Sequence, residues 1–329
     1  MEQQLLGQVP HLTRLEVSER SGVPLTVAAE LWRLLGFPQL ADDEVAFTDG
    51  DVEALRTSSA LYEAGVIGPE SQAALVRTWG RSFARLAEWQ VDLLTQVVVE
   101  AADSGADPVE RLTAVASDVL PRLEALQAYT WRRHLAAAAG RVLSDGRAGA
   151  TDVALPTAVG FVDIVGYTTR SKELDEAELV AWLEAFEDRA SGVVLEHGGR
   201  IIKTIGDEVL YVADSAADAA AAAWELTRIG ADEDDPFPAV RAGVAYGEVV
   251  ARLGDVYGPT VNVAARLTSH ARPGSVIVDR GAHDVLCPDH APPGPDGEPP
   301  GPWRLKRLSR TSVKGYARLE SWVLREPRG

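Results

Sequence analysis

The chain has 329 residues, 46% of them hydrophobic, which is enough apolar content for two modest domains with a core each. Its formal net charge of −17 and pI near 4.8 disfavour nonspecific nucleic-acid binding, so no nucleic-acid partner is expected. One cysteine, Cys287, excludes an intrachain disulfide, and the start MEQQLLGQVPHLTR lacks a basic stretch leading into an apolar one, so a reducing, cytoplasmic setting is expected.

Leu12–Ser21 and Pro24–Leu35 read as two short helices, broken at Gly22 and closed by Gly36. Val45-Ala46-Phe47-Thr48 is expected to be a short strand, and Asp49–Ala60 a further helix. This order over residues 1–60 resembles the MerR-type DNA-binding module, a helix–turn–helix followed by a wing-like strand. The charge argues against DNA. Across residues 11–36 three Arg face three Glu, which leaves no basic face to neutralise phosphates. A structural or regulatory role is expected there instead.

Ser71–Gln96 reads as a longer helix with Leu75, Trp79, Phe83, Leu86, Trp89 and Leu93 spaced by threes and fours, a face expected to pack in a core. Asp107-Pro108 opens another, carrying Leu112, Val115, Val119, Leu120 and Leu123. A separate last helix, Leu126–Leu143, holds Trp131, Arg132, Arg133 and His134. These apolar faces either line a pocket for a small apolar ligand or pack on one another; periodicity does not distinguish the two. Residues 1–143 are therefore expected to form an all-α regulatory domain, and residues 144–155, rich in Gly and Asp, a linker. No run approaches the roughly 18 apolar residues of a membrane span, so no integral membrane segment is expected.

From residue 156 strands alternate with helices. Ala158–Asp163 is a strand, Glu176–His197 a helix, Arg200–Ala213 a hairpin and Ala216–Ile229 an Ala-rich helix. Pro238–Tyr246 is a strand with β structure continuing at Val249–Arg252 and Val256; Pro259–His270 is a helix, and Val276–Val278 a strand. After the Pro/Gly-rich loop Pro288–Pro302, Trp303–Leu308 and Leu319–Leu324 close the chain as strands. The pattern implies an α+β fold with a mostly antiparallel sheet covered on one face.

The hairpin holds the first chemical signal. In KTIGDEVLY two β-leaning runs meet at Gly206-Asp207, a pair suited to a tight turn, which puts Asp207 at the tip. A lone Asp in such a turn is ordinary turn chemistry. Asp163 changes that reading, because an acidic side chain closing the apolar strand Ala158–Val162 needs a compensating partner.

FVDIVGYT, IKTIGDEVLY and DVYGPTVNVAARL, in this order and spacing, resemble the catalytic domain of class III nucleotidyl cyclases over about residues 156–325. The helical half resembles, more weakly, the N-terminal autoinhibitory domain of mycobacterial-type pH-sensing adenylyl cyclases, on helix order and the Arg133-His134 pair. The resemblance implies a ferredoxin-like catalytic domain that makes cyclic AMP and pyrophosphate from ATP. It implies that Asp163 and Asp207, with the backbone carbonyl of Ile164, bind two divalent cations, Mg²⁺ or Mn²⁺, which suit hard oxygen ligands. Asn262 would orient the ribose and Arg266 would stabilise charge on the transferring phosphate; their i, i+4 spacing places them on one helix face. Lys314, in SVKGY, matches a lysine that contacts the terminal phosphates. Lys203 and Asp255 match the base-reading pair. A lysine can donate to adenine N1 and an aspartate can accept from its amino group, which favours ATP over GTP. The family's sites lie between two chains, so a chain carrying all six core residues implies a homodimer. His134, beside Arg132 and Arg133, is the candidate for pH regulation. The competing reading is a catalytically silent cyclase-like protein that binds nucleotide and signals through its helices.

Overall fold

The computed structural model describes residues 2–65, 69–100, 108–144, 154–287, 303–308, 311–313 and 316–325. The chain divides into two compact units, Met1–Gly149 and Ala150–Gly329. Lys314 and the Pro-rich stretch 288–302 lie outside the described residues, as do residues 145–153 of the expected linker.

The first unit begins with α1 (Glu2–Leu6), α2 (Arg14–Ser21), α3 (Leu25–Leu35) and α4 (Asp49–Glu63). Thr13 with Glu16 and Thr48 with Asp51 form capping boxes, which satisfy the free N–H groups that open α2 and α4. Gly22 and Gly36 close α2 and α3 in the left-handed conformation, at φ 74° and 83°. Leu12, Val17, Val23, Ala28, Trp32, Val52 and Leu55 make the core of this part. The strand expected at 45–48 is only a bridge between Leu12 and Phe47; among the described residues nothing else pairs there to extend it.

Two long helices follow, α5 (Pro69–Glu100) and α6 (Pro108–Ser144). The two helices expected between 107 and 143 are one. Pro121 lies inside α6 without ending it, since Leu120–Leu126 contains helix formers and no glycine stop. The expected core face of α5 is also corrected. Trp79, Phe83, Trp89 and Leu93 are 41–57% exposed, while Ala74 and Val76 are buried. Gly80 explains the choice of face: a Cβ there would fall 2.4 Å from the Leu35 carbonyl oxygen, so α5 approaches the end of α3 through small residues.

The second unit is a sheet with helices. Its elements are β1 (Leu155–Ile164), α7 (Tyr167–Arg170), α8 (Glu176–Glu196), β2 (Arg200–Ile205), β3 (Glu208–Ala213), α9 (Ala216–Ile229), β4 (Val240–Arg252), β5 (Asp255–Tyr257), α10 (Pro259–His270), β6 (Val276–Asp279), α11 (Arg280–Leu286), β7 (Arg304–Arg307), β8 (Thr311–Val313), β9 (Tyr316–Leu319) and β10 (Ser321–Arg325). The main sheet runs β2-β3-β1-β4-β6-β10-β7, with β5 on β4 and β8–β9 forming a separate pair. Within it, β1-α8-β2-β3-α9-β4 with antiparallel order β2-β3-β1-β4 is the expected ferredoxin-like core. Sequence reasoning missed α7, α11, β8 and β9, all seven residues or shorter.

The sheet is covered on both faces, not one. On one face Val162, Tyr211 and Val244 pack under Phe186 of α8, Ala220 of α9 and Ala282 of α11. On the other, Val159, Phe161 and Ala245 pack under Val263, Ala264 and Leu267 of α10. Strand alternation sends successive side chains to opposite layers, so β1 feeds both. A Cβ on Gly160 would lie 2.1 Å from the Tyr211 ring, and one on Gly243 would lie 2.4 Å from the Thr268 backbone nitrogen. The first glycine admits a fully buried tyrosine and the second lets α10 rest directly on β4. Among the described residues no helix is long and apolar enough to cross a membrane.

Candidate active site

The β2–β3 turn and the end of β1 meet because their strands are ladder partners. Asp163 stands opposite Glu208 on β3 and opposite Arg241 on β4. The Ile164 N–H donates to the Asp207 carbonyl at 3.1 Å, which closes the turn onto β1. Gly206 takes φ 65°, the left-handed turn conformation.

Asp163 finds the partner that the sequence demanded. The Arg241 Nε donates to Asp163 Oδ2 at 2.6 Å and Nη2 lies 2.5 Å from the same oxygen. Arg241 Nη1 also donates to the Ser269 carbonyl at 3.3 Å, tying this cluster to the end of α10. Burial, then the neighbouring Asp163 charge, holds the Asp207 carboxyl above its ordinary range, against its own backbone N–H and Arg241. Glu208 is pushed up to about 7, first by burial and then by the charges of Asp163 and Asp207. Sequence reasoning missed Arg241 and Glu208. Arg241 carried a signal, a charged residue entering the buried strand Val240–Ala245, but its target depends on register. Glu208 follows Asp207 directly and makes the cluster more acidic than two aspartates alone.

Negative charge crowded on oxygen donors fits a hard cation. Asp163 and Asp207 could hold one between them, and the rise in Asp207 is the electrostatic cost such a cation relieves. Among the described residues no group of three His, Cys, Asp or Glu side chains is placed to hold an ion. Further ligands would have to come from backbone, water or substrate.

A second pair joins the same hairpin to β5. Lys203 Nζ of β2 donates to Asp255 Oδ2 of β5 at 2.5 Å. Burial raises Asp255, but hydrogen bonds from Lys203 and the Val256 N–H outweigh it and leave the carboxyl below its usual value. Both side chains keep solvent access, 43% and 26% exposed, so neither is sealed in the core.

Asn262 and Arg266 sit one turn apart on α10, Asn262 exposed and Arg266 half-buried. The buried face of that helix is Val263, Ala264, Leu267 and Thr268. The Thr268 hydroxyl donates to the Phe161 carbonyl of β1 at 3.3 Å, fixing α10 on the strand that carries Asp163. The structure thus joins Asp163 with Asp207 and Lys203 with Asp255, and sets Asn262 and Arg266 on one helix. The Ile164 side chain is buried at 2% exposure, so only its backbone could serve an ion. His134 is exposed on α6, in the other unit.

Residues 155–326 match the adenylate and guanylate cyclase catalytic domain family. The chain is 36% identical over 339 residues to an adenylate cyclase of Streptomyces coelicolor, covering 98% of this chain and 88% of that protein. It is 38% identical over 338 residues to an adenylate cyclase of Glutamicibacter nicotianae, covering 98% and 81%. It is 29% identical over 321 residues to a pH-sensitive adenylate cyclase of Mycobacterium tuberculosis, covering 94% and 77%.

Proposed function

The chain belongs to the adenylate and guanylate cyclase family, and we propose that it converts ATP to 3′,5′-cyclic AMP and pyrophosphate at sites shared by two copies. The observation that carries this reading is the β2–β3 hairpin. Its strand pairs Lys203 with Asp255 at 2.5 Å, and its turn sets Asp207 beside the end of β1 that carries Asp163. One element therefore serves both base recognition and the reacting phosphate.

Lys203 donates to adenine N1 and Asp255 accepts from the 6-amino group; guanine presents the opposite polarity at both points. The 3′-hydroxyl oxygen bonds to the α-phosphorus as the bond to the pyrophosphate oxygen breaks, and the hydroxyl proton leaves to solvent. Arg266 meets the charge that grows on the transferring phosphate, and Asn262 orients the ribose. Lys314 binds the terminal phosphates. Two divalent cations, Mg²⁺ or Mn²⁺, held by Asp163, Asp207 and the Ile164 carbonyl, supply hydroxyl acidification and neutralisation of the triphosphate.

In the shared-site arrangement one copy provides Asp163 and Asp207 while the other provides Lys203, Asp255, Asn262 and Arg266, so a symmetric pair has two sites. Mixing an Asp163→Ala chain with an Arg266→Ala chain rebuilds one intact site. Cyclic AMP formation from ATP should return in the mixture and be absent from each variant alone. No recovery on mixing sinks the shared site; no activity in the parent chain sinks the cyclase reading.

Residues 1–143 form the regulatory domain in this reading, 144–155 the linker and 156–325 the catalytic domain, in the cytoplasm. The likeness to a pH-sensitive relative and the place of His134, beside Arg133 and exposed on α6, support regulation by pH. Activity profiles across about pH 5.5–8 for the parent and His134→Ala check this against the ordinary histidine range. Superimposable profiles remove His134 from the account.

A further inference from the structure

We propose that the first unit binds a small aromatic carboxylate in a cavity between α2, α3 and the segment that follows α3. The cavity, of about 250 Å³, is lined among others by Arg14, Trp32, Arg33, Phe37, Leu40 and Phe47. The Trp32 and Phe47 rings lie 4.7 Å apart, tilted by 34°, and make an aromatic wall. Phe37 also lines it and is 51% exposed. This proposal does not depend on the reaction assigned to the second unit.

The two arginines differ in what they still offer. Arg33 is committed to Glu30, donating from Nε at 2.8 Å and from Nη2 at 2.5 Å. Arg14 donates from Nη1 to the Leu40 carbonyl at 3.0 Å, which anchors the segment after α3. Its Nε is buried and makes no hydrogen bond among the described residues. The Asp42 carboxylate forms an ion pair 3.3 Å from that nitrogen without a hydrogen bond, and Asp42 is 63% exposed. Such a solvent-facing ion pair contributes little. A buried charged N–H without an acceptor is costly, and native structures rarely leave one without a reason.

A ligand carboxylate supplies the missing acceptor in the planar geometry a guanidinium prefers. Its ring would lie against Trp32 and Phe47, where aromatic contact adds to simple burial. Pockets for drug-sized ligands start near 300 Å³, so this one suits a molecule of one or two rings. The arginine and the aromatic wall together suit an anion with an apolar body.

Benzoate is the probe and benzyl alcohol its neutral counterpart, each titrated into the full chain and followed by saturation-transfer NMR of the ring protons. The expected result is saturable benzoate binding, weaker by about tenfold or more in Arg14→Gln and for benzyl alcohol, and several-fold weaker in Phe37→Ala. Phe37→Ala removes a half-exposed ring and keeps the test valid if Arg14→Gln loosens the segment it anchors. Absence of saturable benzoate binding overturns the proposal. So does binding that both variants leave unchanged, or equal binding of benzyl alcohol.

Discussion

The two units use aromatic and aliphatic side chains in opposite ways. In the second unit Phe186, Tyr211 and Leu226 are at most 1% exposed and lie between sheet and helices. In the first, Phe83, Trp89, Tyr129 and Trp131 are 55–60% exposed along α5 and α6. An apolar helix stripe shows that something wants burial; it does not show that the same chain provides the cover. The difference also tracks function. Asp163 on β1, Asp255 beside buried Val256, and Asn262 and Arg266 on α10 all stand on elements that feed the two apolar layers of the sheet, which helps hold charged groups in fixed geometry.

That contrast can be broken at its strongest point by Phe186→Ala. Loss of a fully buried ring from the second unit should cost about 3–5 kcal/mol in urea unfolding. A cost under about 1 kcal/mol would mean that this core is looser than its packing implies. Arg266→Ala separates chemistry from packing. It should lower the cyclisation rate by about 10²–10³-fold, while costing the second unit no more than about 1 kcal/mol in unfolding. Equal losses in rate and stability would make Arg266 a structural residue.

Glu208 sharpens the electrostatic side of the comparison. Its carboxyl is raised from 4.5 to about 7, with burial the first cause. An acid raised in the folded state stabilises it fully below the unfolded value, and that contribution fades as pH climbs through the folded value. Between about pH 5 and 8, in EDTA, the parent should therefore lose stability that Glu208→Gln keeps, on the order of 2 kcal/mol. Parallel stability–pH curves would show that Glu208 does not titrate in this window. The smallest effect belongs to the first unit: Trp89→Gln, at an exposed position, should change stability by no more than about 0.5 kcal/mol. A larger loss in the isolated chain would show that the stripe is covered after all.

Much of the second unit was legible because its signals are local. Gly206-Asp207 between two apolar runs gives the hairpin, and Pro259 with a helical period gives α10, whose bounds agree with expectation. Asp163 announced that it needed a partner, since a carboxylate at the end of an apolar strand is unstable alone. The identity of that partner was not readable. Arg241 is 78 residues away, and only the β1–β4 register brings it opposite. Glu208 was passed over because its burial comes from the sheet and not from its neighbours in sequence. In the first unit the heptad-like row of Trp79, Phe83 and Leu93 pointed to the wrong face of α5. Gly80 decides which face packs, and a single glycine gives no periodic signal.

Gly160 is the only glycine in β1, and Tyr211 faces it in the ladder three residues from the Asp163–Glu208 rung. A shift of the strands by two residues would preserve the inward and outward pattern, so alternation alone cannot reject it. It would, however, drive the Tyr211 ring onto Ala158 or Val162, where side chains already fill the space. The correct pairing also lets the tyrosine hydroxyl reach the Ala219 carbonyl at 2.7 Å. The aromatic ring thus works as an indexing key for the register. The register that seats the ring is the one that sets Asp163 opposite Glu208, beside the β2–β3 turn.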